Sequence, residues 1–285
     1  MALYLRLPAT AGFNIDNELI VISAFNANEA EQSLLGQDVN IIASGPSVQQ
    51  LSLSELLDTP SIFVNGSISL TEHHAFDHIA GYVISDARFI NHQPEILRQH
   101  YTGQPLYATL AVFEAMATTH PDIMRTHHHA MRVLYPVDRP WGVKSNKLSF
   151  NKLIFKKKRL NKKMPLSYFI NHPNFVIDSG QSATEIGVSL NVTHGFVEAG
   201  TVAYVATQLA FSRHAATIHL YGIDLLNSDQ PRFYENNHNR APSTLNKVMN
   251  ERIVPSFNLL GRTYKTHGID VINHSPVSKS LFDDL

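Results

Sequence analysis

The chain has no cysteine among its 285 residues, which excludes disulfides, thiol catalysis and Cys-ligated zinc and fits a reducing compartment. No apolar run approaches the ~18 residues needed to span a bilayer. The opening Met1-Ala2-Leu3-Tyr4-Leu5-Arg6 lacks the basic and long apolar regions of a signal peptide. The expectation is a soluble or peripheral protein of the cytoplasm. Two common phosphate fingerprints are also missing. No Gly-x-Gly-x-x-Gly follows the first apolar strand, which weighs against an NAD enzyme, and no Gly-x-x-x-x-Gly-Lys-Ser/Thr is present, which weighs against a P-loop kinase. No Asp-x-Asp metal signature occurs.

A large net charge is absent as well: 23 Lys and Arg stand against 24 Asp and Glu, for a net −1. That balance hides an asymmetry. Lys156, Lys157, Lys158, Arg159, Lys162 and Lys163 fall within eight positions that contain no acid. Removing those six leaves 17 basic against 24 acidic residues, or −7 for the rest of the chain. The run is interleaved with Leu153, Ile154, Phe155, Leu160 and Met164. It is therefore an amphipathic basic segment, better suited to an anionic membrane surface than to nucleic acid.

What is present is a hydrophobic content of 44% in short apolar runs that alternate with helical patterns. Strands are expected at Val39–Ala43, Ser61–Val64, Tyr82–Ser85, Pro105–Leu110, Met131–Leu134, Thr217–Tyr221 and Asp270–Asn273. Helices are expected near Val48–Leu57, Phe89–His100, Val197–Arg213 and Ser243–Tyr264, the last kinked or split by Pro255. Strands separated by helices imply an α/β, Rossmann-like domain with a mostly parallel sheet covered on both faces. Residues 1–37 show no clear period and read as an N-terminal extension. The α/β domain then falls into 38–135 and 183–285. Residues 136–182, with the only tryptophan and the basic run, read as an inserted lid subdomain.

Four expected strand ends carry small polar or acidic residues: Ser44-Gly45-Pro46-Ser47, Asn65-Gly66-Ser67, Ser85-Asp86 and Gly222-Ile223-Asp224. In open α/β sheets the ligand lies in the crevice outside the carboxyl ends of the strands, so four such ends point to one nucleotide-type site. The first is expected to present backbone N–H groups and a helix N-terminus to a phosphate. His127-His128-His129 and Glu72-His73-His74 with His78 match no zinc spacing and read as solvated surface.

Ile41-Ile42-Ala43-Ser44-Gly45-Pro46-Ser47, Val64-Asn65-Gly66-Ser67, Tyr82-Val83-Ile84-Ser85-Asp86-Ala87-Arg88-Phe89, Gly222-Ile223-Asp224-Leu225, Arg232-Phe233-Tyr234 and Asn273-His274-Ser275-Pro276, in this order, resemble the WaaZ-type lipopolysaccharide core proteins. Those are transferases of Kdo (3-deoxy-D-manno-oct-2-ulosonic acid). The resemblance covers roughly 38 to 280 and is weak in the lid. More distantly the chain is similar to bacterial CMP-sialic-acid sialyltransferases, through Gly45-Pro46-Ser47, Asn65, Thr193-His194-Gly195 and Gly222-Ile223-Asp224. The two resemblances imply a GT-A-variant glycosyltransferase domain and a metal-independent, cofactor-free, inverting transfer of Kdo from CMP-Kdo. The implied acceptor is lipid A–core lipopolysaccharide at the cytoplasmic face of a Gram-negative inner membrane, with the basic run as membrane or acceptor contact and no nucleic-acid partner.

The same resemblance implies donor contacts from Ser44, Gly45, Pro46, Ser47, Asn65, Asp86, Thr193, His194, Gly195, Gly222, Ile223 and Asp224. Tyr234 is the candidate for bonding the leaving phosphate; Leu226 stands where the sialyltransferases have a nearer tyrosine. The acceptor hydroxyl needs a general base, and the candidates are His238 and Glu235. The alternatives are another CMP-nonulosonic acid transferase, sialic acid included, and a non-catalytic nucleotide- or glycan-binding protein.

Overall fold

The computed structural model of the chain describes residues 6–140, 163–180, 184–226, 230–235 and 248–285. Its centre is a nine-stranded sheet built from β1 (Thr10–Ile15), β2 (Glu18–Ala24), β3 (Asp38–Ile42), β4 (Ser61–Val64), β5 (Ile79–Ile84), β6 (Leu106–Ala108), β7 (Met131–Val133), β10 (Thr217–Tyr221) and β11 (Asp270–Asn273), in the order β1-β2-β7-β6-β5-β4-β3-β10-β11. Only the β1–β2 pair is antiparallel. The mixed α/β fold with a large, mostly parallel sheet is thus as the alternation of strand and helix patterns implied.

Side-chain alternation divides the core into two layers. Val39, Ile41, Ile62, Val64 and Val83 face α5 (Val202–Ser212) and α6 (Val254–Lys265). Ile42, Phe63, Tyr82 and Ile84 face α1 (Ala87–His92), α2 (Pro94–His100), α3 (Leu110–Thr119) and α4 (Pro121–His127). Both faces being covered explains why these strands read as near-continuous apolar runs. The buried Arg213, past the end of α5, locks that helix to the sheet: its Nη1 donates to Ala80 O at 2.7 Å, and its guanidinium lies 5.5 Å from the Tyr107 ring centroid.

Several local expectations change. The stretch read as an extension contributes the β1–β2 hairpin, turned by Asp16 and Asn17 at φ 49° and 69° and joined to β7. Two positive-φ residues in a two-residue turn match the right-handed twist of the strands. The helix expected over Val48–Leu57 is replaced by two 3-10 turns, Pro46–Gln50 and Leu53–Glu55, broken where Leu51 turns extended. The helix expected over Phe89–His100 is split into α1 and α2 at Gln93, which precedes Pro94 and takes φ −131°. Pro255 sits in the first turn of α6, where its missing N–H costs nothing. A small antiparallel pair, β8 (Phe175–Asp178) with β9 (Ile186–Ser189), was not expected. Beside it, Asp138 accepts at its backbone oxygen from Met164 N (2.7 Å) and at Oδ2 from Lys163 Nζ (2.9 Å), so residues 138 and 163–164 are neighbours.

Candidate functional site

From β3 the chain builds β4 to β7 on one side and β10 and β11 on the other, so the sheet reverses direction between β3 and β10. This is the switch point at which α/β sheets open a crevice. The four polar strand ends belong to β5, β4, β3 and β10, consecutive in the sheet, and the parallel register brings them to one edge.

The β3 and β10 corners are fastened to each other. The Ala43 N–H donates to Tyr221 O (2.8 Å) and the Gly45 N–H to Gly222 O (3.0 Å). A Cβ at Gly45 would lie 2.5 Å from Asp224 Cγ, and Gly222 takes φ 71° with Val48 and Ala43 packed against it. Ile223 is held from β11, its N–H donating to Ser275 Oγ at 2.7 Å. Asp224, 6% exposed, accepts from the Ser47 N–H (2.7 Å) at one oxygen and the Ser47 hydroxyl (2.6 Å) at the other.

That geometry corrects the expected phosphate cradle. The Gly45 and Ser47 N–H groups are engaged as described, Val48 N–H donates to Gly45 O, and Pro46 has no N–H. A carboxylate already occupies the N-terminus of the 3-10 turn, where an anion was expected. Ser47 and Asp224 therefore brace the corner rather than offering it to a phosphate.

One polar group with capacity for a ligand lies one strand further on. Asn65, at the end of β4, has φ 51°, a left-handed conformation uncommon outside glycine, and its buried Oδ1 has no partner among the described residues. Ser67 anchors this turn by accepting from Val64 N (2.8 Å) and donating to Ile42 O (2.6 Å). Gly66 lies under the Tyr234 ring so closely that a Cβ would come within 2.1 Å of it. Tyr234 reaches this place because Phe233 N–H donates to Ser44 O at 3.3 Å. Burial pushes the Tyr234 hydroxyl up to about 12, opposed by the Arg232 guanidinium and by hydrogen bonds with the Ser44 side chain and the Gly66 backbone. It is a neutral O–H donor throughout the physiological range.

Glu235 is a poor base here. Its side chain is 1% exposed, Oε1 pairs with Arg232 Nη1 at 2.6 Å and Oε2 accepts from Arg232 N at 3.0 Å. Both oxygens serve the turn that presents Tyr234. Asp86 caps α1 by accepting from Arg88 N (2.9 Å) and pairs with the Arg88 guanidinium (2.5 Å). Burial raises its carboxyl, but the bonds and charge of Arg88, with the charge of Arg139, outweigh that and hold it below the ordinary range.

Thr193-His194-Gly195 lies beside β7, separated by one strand from the Asp86 end of this row and farther from the β3–β10 corner. Thr193 Oγ1 accepts from Ala27 N (2.8 Å), and Gly195 at φ 107° packs against Tyr135 and Val137, just past β7. Three strands separate β7 from β3, roughly 19 Å at ordinary strand spacing. The His194 ring stands 6.0 Å from that of buried His172. His238, Lys156, Lys157, Lys158, Arg159 and Lys162 lie outside the described residues; Lys163 is ion-paired to Asp138. Sequence reasoning gave no separate role to Arg232 or Ser67, although both lie in quoted motifs, and did not mention Arg139. Arg139 pairs with Glu198.

A family profile described as 3-deoxy-D-manno-octulosonic acid transferase WaaZ matches residues 22–279. The chain belongs to that family. It is similar to a probable 3-deoxy-manno-octulosonic acid transferase of Escherichia coli (strain K12), 27% identical over 258 residues that cover 88% of this chain and 82% of the relative. A protein of the same description from Salmonella typhimurium (strain LT2) is 27% identical over 225 residues, covering 79% and 77%. The matched span begins within β2 and ends beyond β11, so it takes in the whole sheet apart from β1 and the first part of β2. Among the described residues no helix is long and apolar enough to cross a membrane.

Proposed function

We propose that the chain is a glycosyltransferase that moves Kdo from CMP-Kdo to a hydroxyl of inner-core lipopolysaccharide, by direct displacement with inversion. The acceptor oxygen forms a bond to the anomeric carbon of the sugar as the bond from that carbon to the phosphate oxygen breaks. CMP leaves with the electron pair, and the acceptor proton passes to a base. The observation that carries the reading is that Asn65, with a buried Oδ1 lacking a partner among the described residues, and Tyr234, whose ring covers the adjoining Gly66, stand together at the end of β4, next to the β3–β10 switch point, in a chain of the Kdo transferase family. Asn65 accepts from the cytosine amino group or the ribose. Tyr234, its oxygen already served by Ser44 and Gly66, turns its proton to the departing phosphate, and Arg232 adds positive charge beside it. Donors aimed at developing charge stabilise a transition state more than a ground state.

Asp224 and Ser47 set the corner and Gly222-Ile223 its depth, while Asp86 closes the far side. With Glu235 committed to Arg232, the base falls to His238. The proposed setting is a GT-A-variant domain on the cytoplasmic face of the inner membrane of a Gram-negative bacterium. Residues 136–182 act as a lid; Asp138 gathering Lys163 and Met164 supports reading that stretch as an excursion whose ends meet. A donor with a single phosphate needs no divalent ion to shield it, so chelator-treated enzyme keeps its rate.

The test is incubation with CMP-Kdo generated in situ and truncated core lipopolysaccharides, read by mass spectrometry. A gain of one Kdo is expected. No gain across a panel of acceptors, with no rise in melting temperature from CMP over UDP or NAD, would overturn the assignment. His238→Ala is expected to abolish transfer and leave the CMP shift intact.

A further inference from the structure

Helix α3 begins at the carboxyl edge of the sheet with its first donors unspent. Thr109 stands at its cap position, but the Thr109 hydroxyl turns back to donate to Ser85 O at 3.1 Å, and no acid lies in the first turn. Val112 N–H and Phe113 N–H donate to Thr109 O. Leu110 N–H and Ala111 N–H have no partner among the described residues, and Ala111 is exposed. Unspent N–H groups at the positive end of a ten-residue helix favour an anion. At neighbouring α1 the same place is filled by the Asp86 carboxylate.

Two side chains converge on this helix end. The sheet register pairs Ile84 with Ala108 and Ala108 with Val133. Two residues further along, on the same face, stand Asp86, the start of α3 and Tyr135. Tyr135 is 3% exposed and packs in the layer that holds Val112 and Phe113, and its hydroxyl has no partner among the described residues. Burial pushes that hydroxyl up to about 12, so it remains a neutral donor. A buried donor without an acceptor costs free energy until something bonds it. Four residues on, Arg139 is half-buried in a turn closed by its own N–H, which donates to Pro136 O at 3.3 Å. Its Nη2 pairs with Glu198, while Nε and Nη1 have no partner among the described residues. Its charge is felt at Asp86, which places the guanidinium on the β5 side of that turn. The adjoining Asp138 is matched by Lys163 at 2.9 Å and does not cancel it.

We infer that the first turn of α3, Tyr135 and Arg139 form an anion subsite for the carboxylate of an acidic sugar, with Asp86 beside it to accept from the sugar hydroxyls. This deepens the proposed function and rests on it for the identity of the sugar. The fork of an arginine and a pair of adjacent backbone N–H groups both match the two oxygens of a carboxylate. β6 lies two strands from β4, about 10 Å at ordinary spacing. A donor with its nucleotide at Asn65 and its phosphate at Tyr234 therefore brings its sugar to this end of the row. An ulosonic acid carries its carboxylate on the anomeric carbon, so gripping that group also orients the carbon at which displacement occurs.

The test is titration of the full chain, in the presence of CMP, with free Kdo and with its methyl ester. Wild type is expected to bind Kdo and to discriminate against the ester by at least about tenfold, the scale of a lost charge-assisted hydrogen bond. Ala111→Glu puts a carboxylate at the helix end. It should lower the affinity for Kdo at least about tenfold while the melting temperature holds or rises, because an acid in the first turn suits the helix dipole. Arg139→Gln and Tyr135→Phe should lower it too, with the CMP-induced thermal shift unchanged, and Arg139→Lys should recover part of the loss. In turnover, a rise in KM for CMP-Kdo alone assigns the carboxylate to the donor. A rise in KM for the core acceptor alone assigns it to an acidic sugar of the acceptor. Equal binding of Kdo and its ester, no binding of Kdo by wild type, or equal competition by inorganic phosphate would overturn the inference. So would an Ala111→Glu protein that binds Kdo as wild type does. A chain that binds Kdo through these residues but transfers none would leave the subsite standing and remove the enzymatic reading alone.

Discussion

Two glycine-bearing segments flank the carboxyl edge of the sheet, and they differ in what their polar groups do. Beside β7, Thr193-His194-Gly195 is closed on itself: Thr193 N–H donates to Asn191 Oδ1, Gly195 N–H to Val192 O, and Gly195 O accepts from Ser189 Oγ. Underneath, Gln208 is saturated, its Oε1 accepting from Ser189 N and Val197 N and its Nε2 donating to Val197 O and Tyr204 O. Between β3 and β10 the brace of Ser47 with Asp224 is equally complete, but it positions a neighbour that is not: Asn65 keeps a buried oxygen without a partner among the described residues. A buried polar atom costs free energy until something bonds it. In the proposed function the second segment borders the ligand and the first is architecture, although Tyr135 Oη and Asp138 Oδ1 beside the first are also buried without partners among the described residues.

The largest effect that tests this contrast is expected from Gly66→Ala. The new methyl meets the Tyr234 ring at 2.1 Å, so the ring has to leave its seat. Transfer should fall by at least about 10²-fold, the scale of losing one aimed donor, with a destabilisation of about 1–3 kcal/mol from overpacking. Steady-state kinetics beside a thermal melt separate the two. A Gly66→Ala enzyme with wild-type kcat would show that Tyr234 has no part in the reaction. Tyr234→Phe sharpens the point: a similar fall in kcat is expected with the melting temperature nearly kept.

Asn65→Gly comes next. Glycine accepts φ 51° without strain, so the fold is preserved while the orphaned oxygen is removed. KM for the CMP donor should rise about tenfold or more, in line with one lost hydrogen bond to a ligand, and the CMP-induced thermal shift should shrink. An unchanged KM would place the nucleotide elsewhere. Thr193→Val is the counterpart on the other side. It leaves Ala27 N–H without its acceptor, so about 1 kcal/mol of stability is lost, while the rate stays within about twofold. A large kinetic effect there would erase the distinction between the two segments.

How far the sequence carried this picture depended on sequence separation. The polar ends of β3, β4, β5 and β10 were legible because parallel strands bring all carboxyl ends to one edge, whatever else the chain does. The hairpin turn at Asp16-Asn17 carried a readable signal in two residues that tolerate positive φ. Ser47 was read as part of a corner open to a phosphate because its partner, Asp224, lies 177 residues away. The same distance hid the loss of the Val48–Leu57 helix to 3-10 turns. Glu235 looked like a free carboxylate until the turn brought Arg232 back onto it, and a loop conformation of that kind leaves no periodic trace.

The smallest expected effect is in pH, and it has opposite signs on the two sides. Burial, with the nearby His194, lowers the His172 pKa below its ordinary 6.5. The unfolded chain therefore takes up that proton first, and the stability His172 confers is present above about pH 6.5 and lost as pH falls below it. Tyr234 is shifted from 10.0 up to about 12, so its contribution is present below pH 10 and lost between 10 and 12, where only the unfolded chain ionises. Each group adds at most about 1.4 kcal/mol per pH unit to the slope. Other buried histidines and tyrosines titrate in the same direction, including His100, His120, Tyr101 and Tyr135. The comparison therefore has to be made by difference: denaturant melts of wild type against His172→Phe on the acid side and Tyr234→Phe on the alkaline side. Each substitution should flatten its own limb and leave the other unchanged. A His172→Phe protein whose acid limb matches wild type would mean that His172 is as readily protonated in the folded chain as in the unfolded one, and that the packing beside β7 is looser than its bonds imply.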